Sequence, residues 1–243
     1  MTEFAMAVSN PLIGQRKLNS VGKPLPGFNI RLASEDGSES RETPPEGFTA
    51  SGEIQVSGDG VFREYWGKEE ATVESFTPDG HWFKTGDLGA KDADGYLYIL
   101  GRLSADIIKS GGFKISALDI ERELLTMPRV GECAVVGLPD DTWGEKVTAI
   151  LTPRGGTEEE VRAAAAVINE DPKALAQFLA EIKEFLKDKL PPYKIPSVIK
   201  VLPAIPRNAM GKVGKKALKM ELWPNIMNAS KSPASLAAPL PRA

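Results

Sequence analysis

The stretch GRLSADIIKSGGFK, residues 101–114, separates two parts of the chain whose sequence patterns differ. Before it, residues 24–101 are rich in turn-forming Pro and Gly and contain short apolar runs, a pattern typical of antiparallel strands. After it, the pattern alternates between helix and strand. We therefore predict an α+β fold with a mostly antiparallel β block over 1–102, a small αβ domain over 103–222 and a disordered tail over 223–243.

The composition excludes several classes of protein and site. With a single cysteine (Cys133), the chain can form no internal disulfide. Its one histidine, His81, has no partner nearby in sequence, which disfavours a Cys/His zinc site and indicates a structural or surface role. A net charge of −3 argues against a surface built for nucleic acid, and no uncharged apolar run reaches the roughly 18 residues of a membrane span.

Individual elements follow from periodicity and capping signals. Ser116, followed three residues later by Asp119, predicts the start of a helix. Apolar residues at helical spacing predict a second helix over 173–190, and residues 153–171 should be partly helical. The predicted strands are 28–32, 52–57, 96–100, 132–138, 146–152 and 197–201.

The first of four candidate functional motifs is the pair Thr2-Glu3. A hydroxyl beside a carboxylate can contact a phosphate oxygen and hold Mg²⁺, respectively. The alternative is a solvated pair without function.

The second motif is Lys84-Thr85-Gly86-Asp87, which we place in a loop. An ionised Asp is only a hydrogen-bond acceptor, so Asp87 beside a glycine could accept two hydrogen bonds from a sugar diol. The alternative is an ordinary turn.

The third motif lies within residues 101–114. Arg102 ends a predicted strand and can form a forked contact to phosphate or ribose oxygens. After a short hinge, Gly111-Gly112 would allow the backbone to approach a ligand closely. A plain hairpin carrying surface charges is the alternative.

The fourth motif is PRNAMGKVGKK, residues 206–216, in which Lys212 follows a glycine. A lysine on such a loop can act as a mobile point charge toward a phosphoryl group. Residues 187–219 contain nine Lys or Arg and one acidic residue, so an RNA-binding face or a solvated basic face are alternatives. No aromatic interleaving supports RNA binding.

In this order and spacing, the four motifs resemble those of the acyl-adenylate-forming (AMP-binding) superfamily of acyl-CoA synthetases, luciferases and peptide-synthetase adenylation domains. The resemblance extends from Met1 to about Leu222. It implies that 1–102 is the C-terminal, β-rich portion of an incomplete large AMP-binding domain and that 103–222 is the small C-terminal lid domain. Within the superfamily, the first 27 residues look most like malonyl-CoA synthetases of the plant type. Further matching segments are 52–54, 61–66, 143–145 and 193–196.

The resemblance implies a two-step reaction: a carboxylate first attacks the α-phosphate of Mg·ATP, and the CoA thiol then displaces AMP after the small domain rotates. It also implies a role for each matching residue. For the nucleotide, Thr2 would contact phosphate, Glu3 would hold Mg²⁺, Asp87 would bind both ribose hydroxyls and Arg102 would support the same nucleotide. Lys212 would stabilise the charge that develops in the first step. Gly111, Gly112 and Phe113 would line the pantetheine tunnel, and Ser104 would be the hinge.

Two departures from the superfamily pattern qualify these expectations. Many relatives have Asp or Lys at the position of Ser104. The Ser/Thr/Gly-rich phosphate loop ending in Pro-Lys, which relatives carry in an N-terminal segment, does not occur in this sequence. We therefore expect the C-terminal part of a ligase for malonate, ATP and CoA that is inactive without that segment, located in the cytosol or the mitochondrion.

Three alternatives remain open at this stage: a ligase for another short- or medium-chain acid, a peptide-synthetase module, and a non-catalytic nucleotide- or CoA-binding fragment. The module is disfavoured because residues 230–243 are too short for a carrier domain. No partner protein, nucleic acid or oligomeric state is indicated.

Overall fold

The computed structural model describes residues 1–34, 38–40 and 44–229. The chain divides into two compact units, Met1–Ser104 and Ala105–Ala243. The division lies inside the stretch of residues 101–114. Within the described residues, no helix has the length and apolar character needed to cross a membrane.

The first unit is built on a four-stranded antiparallel sheet in the order β3-β4-β5-β6. Alternate residues of β4, such as Ile54 and Val56, point into its core together with Leu32 and Leu97. The elements of this unit are β1 (Val8–Ser9), β2 (Lys23–Pro24), β3 (Phe28–Ala33), β4 (Ala50–Gly58), α1 (Glu69–Ser75), β5 (Phe83–Lys91) and β6 (Leu97–Arg102).

An aromatic cluster fixes the first residues of the chain to this sheet. The rings of Phe4 and Phe62 both pack edge-on against Phe83, with centroids 6.1 and 5.4 Å away. The backbone N–H of Phe62 also donates to the carbonyl of Glu3 at 2.7 Å. Because Phe83 begins β5, these contacts hold Glu3 beside that strand.

The second unit is a mixed sheet with helices on both faces. Strand β10 pairs with β9 in antiparallel and with β11 in parallel, and contacts β7 through one residue pair. The elements are β7 (Ile107–Ser110), β8 (Phe113–Ser116), α2 (Ala117–Leu124), β9 (Val130–Asp140), β10 (Gly144–Pro153), α3 (Glu158–Glu170), α4 (Pro172–Leu186), a 3₁₀ turn (Pro192–Lys194), β11 (Val198–Val201), α5 (Lys215–Leu222) and α6 (Pro224–Ala229).

Successive residues of β9 face two separate cores. Val135 joins a large cluster with Ile120 of α2 and Ile182 of α4, whereas Val136 joins a smaller cluster with Leu218 of α5. This alternation is the two-residue period of a strand covered on both faces. It explains why the compact apolar run 132–138 could be identified as a strand.

The structure corrects two of the sequence predictions. The helix predicted over 173–190 ends at Leu186, although its cap residue Lys187 still has helical backbone angles. Pro191 prevents the helix from resuming, because Leu190, the residue before the proline, avoids helical geometry. The tail predicted to be disordered from residue 223 begins with α6, which starts at Pro224, a favoured first helical residue, after Trp223 packs on the smaller core. Residues 230–243 of that predicted tail lie outside the described residues.

Candidate active site

Residues 84–87 lie within strand β5 and not in the predicted loop. The β4–β5 ladder pairs Gln55 with Lys84, and an unbroken register would then pair Glu53 with Gly86. Glu53 instead pairs with Leu88, so β5 bulges over the motif. Gly86 occupies the left-handed region at φ +71°, which favours glycine. The motif is therefore a bulge within a strand and not a loop, with Thr85 buried and the other three residues partly buried.

Hydrogen bonds to neighbouring strands hold this bulge in place. One carboxylate oxygen of Glu53 accepts the N–H of Gly86 at 3.1 Å. The buried Thr85 hydroxyl donates to the carbonyl of Ile54 at 2.7 Å. The guanidinium of Arg102 donates to the carbonyl of Thr85 at 2.9 Å. The backbone around Asp87 is therefore fixed from both sides.

The structure joins two of the predicted nucleotide-binding residues. Asp87 and Arg102 are directly opposed on β5 and β6. The Arg102 Nε atom lies 3.0 Å from Asp87 Oδ1, with the Asp87 side chain 17% exposed and the Arg102 side chain 50% exposed. The pair presents a carboxylate and a guanidinium at one edge of the bulge, which are the groups needed to bind hydroxyls and phosphate.

An open pocket of about 500 Å³ lies beside this bulge within the first unit. Its lining combines the cations Lys84 and Arg102 with the carboxylates Glu3, Glu53 and Glu74. Such a mixture suits an anionic ligand that carries a metal ion.

Tyr65 orients the Glu3 carboxylate in the pocket. Its hydroxyl donates to Glu3 Oε1 at 3.0 Å. Burial, together with the neighbouring Glu3 charge, raises the pKa of Tyr65 above its usual value, so the phenol keeps its proton and remains a donor.

Glu3 fits the predicted magnesium role as a single protein ligand. Mg²⁺ in phosphate sites is held by one or two carboxylates, water and the phosphates. Tyr65 occupies one carboxylate oxygen of Glu3, and among the described residues nothing donates to the other. Thr2 is exposed beside it. Elsewhere in the described ranges, no cluster of three His, Cys, Asp or Glu side chains could hold a metal by itself.

Sequence reasoning assigned no role to Glu53 or Tyr65, although both lie in matched segments. A usable signal for Glu53 was present: together with Gln55, it places polar side chains in a strand whose other residues are mostly apolar. Tyr65 carried no such signal because it reaches Glu3 only through tertiary packing.

In the second unit, Gly111 and Gly112 form the two-residue turn between β7 and β8. Their φ angles are +57° and +83°, the values of the hairpin turn that favours glycine at both positions. Phe113 follows the turn and stacks on Tyr193, with centroids 4.3 Å apart and planes inclined by 9°. On the other side, the Gly111 N–H donates to the Trp143 carbonyl at 2.9 Å. The turn is therefore a rigid, exposed projection.

Lys212 lies on an exposed loop organised by Asn208. The Asn208 side-chain oxygen accepts the N–H groups of Met210 and Lys212 at 3.0 and 2.9 Å. The Asn208 N–H donates to the Lys212 carbonyl at 2.9 Å, and Gly211 turns the chain at φ +74°. The Lys212 ammonium forms no ion pair with any residue that the structure describes. The Lys212 ammonium is thus an exposed positive charge that no described carboxylate neutralises.

The remaining predicted residues are accounted for as follows. Ser104, the predicted hinge, is the exposed last residue of the first unit. His81 is exposed, and its backbone N–H donates to the Asp79 carboxylate at 3.1 Å. Thr2, Glu3, Asp87 and Arg102 belong to the first unit, and the Gly111–Phe113 turn and Lys212 belong to the second.

Comparison with known proteins matches residues 119–212 to the AMP-binding enzyme C-terminal domain family. A malonate–CoA ligase of Arabidopsis thaliana is 47% identical over 222 residues, covering 91% of this chain and 34% of the relative. A mitochondrial malonate–CoA ligase of Bos taurus is 44% identical over 239 residues, covering 93% of this chain and 37% of the relative. The chain thus spans about a third of the length of these curated relatives.

Among solved structures, the ATP-bound MatB protein of Rhodopseudomonas palustris has a TM-score of 0.69 and 35% sequence identity, covering 93% of this chain and 40% of that protein. The family match includes Lys212 as its last residue. The antiparallel and mixed sheets, the bulged β5 motif and the lysine loop are thus found in a chain whose sequence and structure resemble those of CoA ligases. Residues 119–212 belong to the AMP-binding enzyme C-terminal domain family, and more than nine-tenths of the chain is similar to CoA ligases.

Proposed function

We propose that this chain is the C-terminal part of a malonate–CoA ligase, which converts malonate, ATP and CoA to malonyl-CoA, AMP and diphosphate. The observation that carries the proposal is the pocket of the first unit, where Glu3, Lys84 and Arg102 are assembled next to the Asp87 bulge. The identity to malonate–CoA ligases favours malonate as the acid.

In the first step, a malonate oxygen attacks the α-phosphorus of ATP. The new oxygen–phosphorus bond forms as the bond to diphosphate breaks, giving malonyl-adenylate. Asp87 accepts hydrogen bonds from the ribose hydroxyls, and Arg102 supports the same nucleotide. Bound through Glu3, Mg²⁺ would neutralise phosphate charge. Lys212 stabilises the negative charge that develops between the two reactants.

In the second step, the CoA thiol loses its proton and its sulfur attacks the acyl carbon. The carbon–oxygen bond to AMP breaks, and AMP leaves with the electron pair. The second unit rotates at Ser104 between the steps, which exchanges the Lys212 loop for the Gly111–Phe113 turn. That turn, with glycine at its two exposed positions, leaves room for the pantetheine arm.

The test of the acid substrate uses the longest reading frame that contains these 243 residues. We expect its protein product to catalyse ATP–pyrophosphate exchange with malonate in clear preference to acetate or octanoate, because the relatives are malonate ligases. Preference for another acid would replace malonate with that substrate. Absence of exchange with every acid, from a folded protein that binds ATP, would contradict ligase activity.

A further inference from the structure

A buried cluster of three charges lies in the second unit, formed by residues to which no role has been assigned above. The ammonium of Lys215 is 2.5 Å from Asp106 Oδ1 and 2.7 Å from Glu121 Oε1. The side chains are only 9%, 15% and 15% exposed, respectively. We call Asp106, Glu121 and Lys215 the charge triad.

The charge triad connects elements that are distant in sequence. Asp106 immediately precedes β7, Glu121 lies on α2, and Lys215 is the first residue of α5. The same Glu121 oxygen also accepts the N–H of Val135 in β9 at 2.7 Å. Lys215 therefore links the start of α5 to α2 and to the residue that precedes β7.

Such a cluster contributes little to stability compared with its effect on geometry. Taking three charges out of water costs several kcal/mol per ion in general, and apolar replacements of buried ion pairs are often as stable. In some proteins, however, buried charges favour a single arrangement of the groups they join, because any other arrangement leaves a charge unpaired. Here the charge triad would fix the arrangement of the segment that carries Lys215.

Lys215 lies directly after the loop that carries Lys212. Only Val213 and Gly214 separate it from Lys212. Gly214, the residue that caps α5, provides no side-chain hydrogen bond. At the other end of the loop, Arg207 pairs with Glu132 at 3.1 Å, but both side chains are about half exposed, and exposed pairs are weak. Of these two ion-pair attachments of the Lys212 loop, the charge triad is the less exposed, and Val213 adds an apolar contact to the smaller core.

We propose that Lys215 is a positioning residue for adenylation, which holds the loop so that the Lys212 ammonium occupies one place in the second unit. This inference rests on the proposed function, since it needs Lys212 to act in adenylation. All members of the triad lie in the second unit, so the attachment persists when that unit moves as a body.

Residue-level tests use a chimera in which this chain replaces the matching third of the Arabidopsis thaliana malonate–CoA ligase. In it, we compare Lys215→Met with Lys215→Arg, and with Lys216→Ala as a control for an exposed lysine of the same segment. Because removing Lys215 leaves two like charges buried, a third variant combines Lys215→Met with Asp106→Asn and Glu121→Gln. That variant keeps the shapes and removes all three charges.

We expect Lys215→Met and the neutral triple variant to lower kcat of malonate-dependent pyrophosphate exchange by about tenfold or more, since a misplacement of about 1 Å can cost 10²-fold. KM for ATP and thiolysis of preformed malonyl-adenylate should stay unchanged. Lys215→Arg should recover activity to within about threefold, because it keeps the charge.

Full exchange activity in a folded neutral triple variant would overturn the inference, as would an equal loss in exchange and thiolysis. The Lys212→Ala chimera separates this failure from that of the proposed function. If Lys212→Ala leaves exchange intact, the proposed adenylation role itself is wrong.

Discussion

Replacing Lys212 with Ala in the chimera is expected to slow malonyl-adenylate formation by about 10²–10³, equivalent to roughly 3–4 kcal/mol of transition-state stabilisation. The reason is that its ammonium is displayed without an ion-pair partner among the described residues, so its whole charge is available to the reacting phosphate. Pyrophosphate exchange with malonate and ATP measures this step. Substrate binding should change little, because the charge it meets develops only as the carboxylate attacks phosphorus.

The same variant should thiolyse preformed malonyl-adenylate at nearly the rate of the parent chimera. In the second step, the proposed rotation carries Lys212 away and brings the Gly111–Phe113 turn to the reacting carbonyl. Lys216→Ala, an exposed lysine four positions further on, is the matched control and should leave both steps unchanged. If Lys212→Ala slows thiolysis as much as adenylation, the rotation mechanism is wrong for this protein.

Gly112→Leu is expected to give the opposite pattern, with thioester formation reduced by at least about tenfold, or 1.4 kcal/mol, and adenylation preserved. A Cβ placed on Gly112 would meet no atom within 4 Å, so a larger side chain would start into open space, where the pantetheine arm is proposed to pass. Malonyl-CoA formation from preformed malonyl-adenylate measures the effect.

Backbone strain must be separated from this steric effect. Because Gly112 has a φ of +83°, any residue with a Cβ is strained there. Gly112→Ala carries the same strain with little bulk and serves as the control. A loss in Gly112→Ala equal to that in Gly112→Leu would assign the effect to the turn conformation and contradict the proposed tunnel.

The elements of the second unit could be predicted largely from local sequence signals. The Ser116 cap accepts the N–H of Asp119 as its spacing indicated, and α2 follows it. Thr157 and Glu160 form a complete capping box at the start of α3. The helix lies within the segment 153–171, for which the sequence predicts partly helical structure. These helix caps join residues three positions apart, so they can be predicted from the sequence alone.

The contacts within the candidate site depend on strand register and on residues far apart in the sequence. The ion pair of Asp87 and Arg102 and the bulge at Gly86 arise from strand register, which a single sequence does not specify. Tyr65 reaches Glu3 across 62 positions, and the charge triad joins residues up to 109 positions apart. The motifs identified the residues, but only the fold shows that Glu53 and Tyr65 contact them and that Lys215 lies in a buried charge triad.

The most direct test of the central claim compares malonate-dependent pyrophosphate exchange by the chimera with exchange by the remaining two thirds of the Arabidopsis thaliana enzyme alone. If this chain supplies the adenylation machinery of a CoA ligase, the chimera should catalyse exchange and the shorter protein should be slower by at least about 10², the loss expected from Lys212 by itself. Equal exchange by both proteins, or no exchange by a folded chimera that binds ATP, would contradict the account.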